Sequence, residues 1–140
     1  MRIDYEYLKT VLQAFAAAPK PVTDIEELKE RGVTDDVDQF LFHMAILEDK
    51  AFIEQEDHEP GFGMQRSVDG FVSWAAVPLR LTAAGHEFLA GLEDQQTWNI
   101  VKRDFKNSSI ETLKTLFKVA SEEITKAAVK TFVLHGASQV

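Results

Sequence analysis

Three observations predict a mostly helical α+β chain. The first 50 residues carry two segments of helical apolar spacing with a capping box between them, two runs rich in β-branched and aromatic residues flank a Gly-containing loop, and helical periodicity returns after Thr82. Between Asp4 and Ala18, the residues Leu8, Val11, Leu12 and Phe15 fall at i, i+3, i+4 and i+7, one face of an amphipathic helix. Pro19-Lys20-Pro21 ends it. Thr23-Asp24-Ile25-Glu26 reads as a capping box opening a short second helix that stops at Gly32, and a third begins at Thr34 or Asp35 and runs to about Lys50. Phe52 to Asp57 and Phe71 to Thr82 are the expected strands, around a loop holding Pro60, Gly61, Gly63 and Gly70. Helix, short helix, helix, strand, long turn, strand is the order of a winged-helix domain with a two-stranded wing.

The strand ending at Leu81 turns directly into a helix capped by Thr82. In that helix Gly85, Phe88, Leu89 and Leu92 share a face, whereas Trp98, Val101 and Phe105 fall on roughly the opposite side of a continuous helix. Either the helix breaks near Asp94-Gln95-Gln96 or its second half packs elsewhere. Ser108-Ser109-Ile110-Glu111 opens a last helix able to reach Leu134. Its residues Ile110, Leu113, Phe117, Ala120, Ile124 and Ala127 alternate spacings of three and four, as coiled-coil a and d positions do. A helix of roughly 25 residues spans about 38 Å, more than a small domain needs, so a homodimer held by Ile110, Leu113, Phe117 and Ile124 is expected. The expected division is a winged-helix domain over 1–94 and a helical extension over 95–140.

With 140 residues, 45% of them hydrophobic and 27% charged, the chain fits the composition of a folded globular protein. It has no Cys, so neither a disulfide nor a thiolate metal site supports the core. The opening Met1-Arg2-Ile3-Asp4-Tyr5-Glu6 does not resemble a signal peptide, and no apolar run approaches the ~20 residues of a membrane span. A cytoplasmic location is expected. The net charge of -8 is uneven: residues 1–50 hold 6 Lys/Arg against 11 Asp/Glu, 51–100 hold 2 against 8, and 101–140 hold 7 against 4. The part that looks most like a DNA-binding fold is therefore the acidic part, the opposite of what a phosphate backbone requires.

Little in the sequence points to catalysis. Gly61-Phe62-Gly63-Met64-Gln65-Arg66 lacks the third Gly of a dinucleotide loop and sits between strands, which makes it a wing tip with Phe62 and Met64 left for a partner. His43, His58, His86 and His135 have no second His or Cys three or four residues away, so no metal is expected. There is no G-x-S-x-G elbow, and the carboxylates are scattered. No catalytic residue and no cofactor are expected. His86 is read as orienting its helix start by hydrogen bonding, and Gly85 as allowing close approach to the sheet.

The third helix is where a winged-helix protein meets DNA. Helical projection puts Val37, Phe40, Leu41, Met44 and Leu47 on the core side and Asp38, Gln39, Phe42, His43 and Ile46 outside. The outer face has no Lys or Arg, and Asp35 and Asp36 precede it. Phe42 and Ile46 are either covered by a later helix or form a protein-binding stripe. The second reading gives a partner-binding set of Gln39, Phe42, His43, Ile46, Phe62 and Met64. Lys102, Arg103 and Lys106 belong to a mixed-charge helix surface, and they are the expected phosphate contacts if nucleic acid is bound at all.

The segment Leu81-Thr82-Ala83-Ala84-Gly85-His86-Glu87-Phe88-Leu89, followed by Trp98-Asn99, resembles a family of short phage- and prophage-encoded proteins carrying a domain of unknown function. His43 to Glu48, Phe52-Ile53-Glu54 and the Leu113-Lys114-Thr115-Leu116 region are similar to the same family. Asp49-Lys50-Ala51 stands where its members usually have a Gly-containing turn. The resemblance implies a winged-helix fold and a phage or prophage origin, and no chemistry. The expected function is a non-catalytic interaction protein that binds a host or phage protein. The alternative is a winged-helix transcription regulator acting on DNA.

Overall fold

A computed structural model describes the backbone of residues 1–138 and the side chains of residues 1–123, 126, 127, 129 and 130. The chain forms two compact units, 1–93 and 94–140. The first contains α1 (Tyr5–Ala16), α2 (Ile25–Glu30), α3 (Val37–Asp49), β1 (Ile53–Gln55), β2 (Met64–Arg66), β3 (Val72–Trp74), β4 (Leu79–Leu81) and α4 (Ala83–Glu93). The second contains α5 (Gln95–Ile100), a π-helical turn over Val101–Phe105, and α6 (Ile110–Ser138).

Acidic caps start the first three helices. Asp4, Asp24 and Asp36 accept the N–H of Tyr7 at 3.1 Å, Glu27 at 2.9 Å and Gln39 at 3.1 Å. The second cap falls one residue later than the expected Thr23, because Thr23 is taken by the sheet. Its N–H and C=O pair with Leu79 at 2.8 and 2.7 Å. Ser108 is displaced in the same way: Ser109 accepts from Thr112 N–H at 3.2 Å, and Ser108 N–H bonds back to Phe105.

The strand β4 lies between two partners. On one side β1 runs antiparallel to it, with Ile53 opposite Leu81 and Glu54 opposite Arg80, and on the other side is the Thr23 bridge. Alternation sends Leu79 and Leu81 into the core and leaves Arg80 outside, where its Nε donates to Glu54 at 2.9 Å. The expected continuous strand over 71–82 is interrupted. β3 leaves β4 at 75–78 and pairs with β2 in a hairpin of its own, Met64 opposite Trp74 and Arg66 opposite Val72. Two backbone features separate them. Pro78 has no N–H to give a ladder, and Gly63, at φ 98°, approaches the Ala75 carbonyl so closely that any Cβ would collide with it.

The core of the first unit joins Leu8, Val11, Leu12 and Phe15 of α1 to Phe40, Met44 and Leu47 of α3 and to Phe52, Leu79, Phe88 and Leu92, all buried. The Phe52 and Phe88 rings stack with centroids 4.8 Å apart. The Thr82 hydroxyl holds the strand-to-helix junction twice, accepting from Gly85 N–H at 3.1 Å and donating to the Ala51 carbonyl at 2.6 Å. Gly85 is required there, since a Cβ would overlap the Phe52 carbonyl oxygen. His86 is exposed and its ring makes no hydrogen bond among the described residues, so Thr82, not His86, fixes the start of α4.

In the second unit Asp94 opens α5 by accepting from Thr97 N–H and hydroxyl at 2.9 and 2.6 Å, which places the phase break of the apolar pattern. Trp98 and Val101 are buried, and Lys102 Nζ lies 5.6 Å from the Trp98 ring centroid. Ile110 and Leu113 are buried within the chain itself, at 2% and 0% exposure. They are therefore unavailable as the dimer seam expected of them. Phe117 is half-buried, and the Ile124 side chain lies outside the described residues.

Candidate functional site: the face of α3 and the β2–β3 hairpin

The face of α3 is rotated relative to its projection. Phe40, His43, Met44 and Leu47 form the innermost stripe at i, i+3, i+4 and i+7, whereas Val37, in the first turn, is 44% exposed. His43, expected outside, is 1% exposed. Its burial is tolerated because both ring nitrogens are satisfied: Asp4 N–H donates to Nε2 at 2.9 Å, and Nδ1 lies 2.8 Å from the Gln39 carbonyl. His43 is thus a tie between α1 and α3 and not a contact residue. Burial holds its pKa below the ordinary histidine value, against the opposing pull of the Gln39 carbonyl and the Asp4 charge. Next to it, Tyr7 donates its hydroxyl to the Val33 carbonyl at 2.5 Å. Burial, with Asp36 and Asp35 nearby, pushes the Tyr7 phenol up to about 12.

Phe42 and Ile46 are half-buried, as are Gln39 and Met64. The exposed positions around them are Asp35, Asp36, Val37, Asp38, Ala45, Asp49 and Lys50. Phe62 corrects the expectation for the wing tip. It is 7% exposed, folded inward by a loop that Gln55 ties down through the Pro60 and Gly61 carbonyls at 2.9 and 3.2 Å. Glu48 of α3 accepts Gly61 N–H at 3.1 Å, a second tether. The exposed apolar residues lie further out, at the β2–β3 turn: Val68 is fully exposed and Phe71 is 75% exposed. Sequence reading missed both, although the Asp69-Gly70 turn signal between them was visible. The hairpin reaches back to α3 through Trp74, whose ring lies 5.9 Å from Phe40.

Other candidates offer less. A cleft of about 180 Å³ between the end of α1, Lys20–Thr23, β4 and His86 holds two cation-bearing side chains, Lys20 and Arg80, and Arg80 is already bound to Glu54. No group of three or more His, Asp and Glu among the described residues is placed to hold a metal. Lys102 and Arg103 are exposed on the π-helical turn with Lys106 just after it, and Arg103 pairs with Asp104 at 2.9 Å. No helix among the described residues is long and apolar enough to cross a membrane.

Residues 2–111 match the model of a family described as hypothetical protein (DUF2513), and the chain belongs to that family. No curated protein and no solved structure matches it.

Proposed function

We propose that this chain is a non-catalytic binding protein of phage or prophage origin, built on a winged-helix scaffold and engaging a protein partner that presents basic groups. The element order supports the scaffold. A short extended segment at Thr23 between α1 and α2 bridges β4, β1 follows α3, and a hairpin separates β1 from β4. The observation that carries the partner class is the charge at the start of α3, where a recognition helix would enter the major groove. Asp35, Asp36 and Asp38 are exposed there beside the exposed Val37. Three carboxylates at that end repel phosphates and attract Lys and Arg.

Phe42, Ile46, Gln39 and Met64 form the half-buried floor of this surface, with Val68 and Phe71 as apolar contacts on the hairpin. The alternative, a DNA-binding regulator, draws on exposed basic residues of the second unit such as Lys102, Arg103 and Lys106. The test is affinity capture by the wild-type chain and by an Asp35→Lys/Asp38→Lys variant, with Glu111→Lys on α6 as the control reversal. A protein retained by wild type and control but lost from the double variant supports the reading. Equal retention by all three contradicts it.

A further inference from the structure

The tie between α1 and α3 is sensitive to a proton. The Gln39 carbonyl can only accept, so His43 Nδ1 carries the ring hydrogen, and the Asp4 N–H can only donate, so Nε2 is the bare nitrogen. Both sites of the neutral imidazole are used. A second proton on Nε2 has no acceptor in this arrangement and faces the Asp4 N–H, donor against donor. Tyr7 and Phe42 enclose the ring edge-on at 4.8 and 5.1 Å. The charged groups near it are the Asp4 carboxylate on the α1 side and, beyond Tyr7, Asp35 and Asp36 at the entry to α3. The Asp4 carboxylate is engaged in capping α1 through Tyr7 N–H at 3.1 Å.

We propose that Asp4 and His43 form a proton-operated latch on α1. A proton from solvent takes the Nε2 lone pair, the Asp4 N–H loses its acceptor, and the Asp4 carboxylate leaves Tyr7 N–H to accept from the imidazolium. No covalent bond other than N–H changes. The first turn of α1 is then uncapped, and with it Tyr7, whose hydroxyl holds the Val33 carbonyl just ahead of Asp35 and Asp36. Acid thereby loosens the junction that presents the carboxylates of α3. The geometry stands whichever partner that surface takes.

The test is a pH titration of the full chain by NMR from roughly pH 7.5 to 4.5, the range in which a histidine changes charge, following the His43 ring and the amides of Asp4, Tyr7 and Val33. His43 is expected to titrate below its ordinary value of 6.5, with the Asp4 and Tyr7 amides moving at the same midpoint. Asp4→Asn preserves a good helix cap but offers no charge, so it moves the His43 midpoint to lower pH. A His43 ring that titrates while the two amides stay still overturns the latch. So does a ring that never titrates, or a midpoint indifferent to Asp4→Asn.

Discussion

Ala51 occupies the left-handed region at φ 56°, where a Cβ is unfavourable. It stands just past the end of α3: its N–H bonds to the Glu48 carbonyl at 2.9 Å and Phe52 N–H to the Leu47 carbonyl at 2.8 Å, a Schellman closure that usually employs Gly. Ala51→Gly is expected to stabilise the chain by on the order of 0.5–1 kcal/mol, the relief of strain exceeding the added freedom of the unfolded state. A higher urea midpoint at unchanged slope checks it. Gly85→Ala works in the opposite direction, costing on the order of 3 kcal/mol as α4 is forced off the Phe52 carbonyl. His43 gives a pH dependence. Its folded pKa is lowered, so the unfolded chain binds the proton more readily below about 6.5. Its contribution to stability is present above that pH and is lost as the pH falls through the window beneath it. Melting temperature measured at each half-unit of pH should fall there in the wild type, and the fall should be shallower in His43→Leu. The role of His43 was not legible from helical projection, because its partner is a backbone N–H at Asp4, 39 positions away.

At the scale of elements, the sequence was most informative where an apolar stripe met a cap. The stripe of α1, the Thr82 junction and the change of phase at Asp94 all stand where spacing placed them. Strand pairing was less legible, because the split between β3 and β4 depends on Gly63 meeting the Ala75 carbonyl, a contact between chain segments and not a local preference. The π-helical turn after α5 likewise has no marker in the residues Val101–Phe105. Asp94→Ala is expected to release the start of α5, seen as faster hydrogen exchange at Thr97 and Trp98. The Thr97 hydroxyl and N–H lower the Asp94 pKa, so the cap is present above the ordinary carboxylate range and is lost as the pH falls through the folded value. Leu113 is fully buried within the chain, and Leu113→Ala should cost about 2–5 kcal/mol in a denaturant melt. A loss under 1 kcal/mol would return that residue to an intermolecular seam.

For the whole molecule, charge and element order say more than any single residue. The α+β architecture was legible because helix spacing, Gly and Pro punctuation and alternating strands agree along the chain. The candidate surface was legible only in part. Its acids were plain in the sequence, but Phe62 and His43 turned inward through loop and backbone hydrogen bonds, and the exposed apolar residues proved to be Val37, Val68 and Phe71. The central claim is that the acidic α3 face recognises protein and not nucleic acid. The most direct measurement is fluorescence anisotropy of a labelled duplex DNA titrated with the full chain at two salt concentrations. No saturable binding is expected at either, because Asp35, Asp36 and Asp38 are exposed at the start of α3 and repel phosphates. Saturable binding by the wild-type chain that weakens steeply with salt would contradict it.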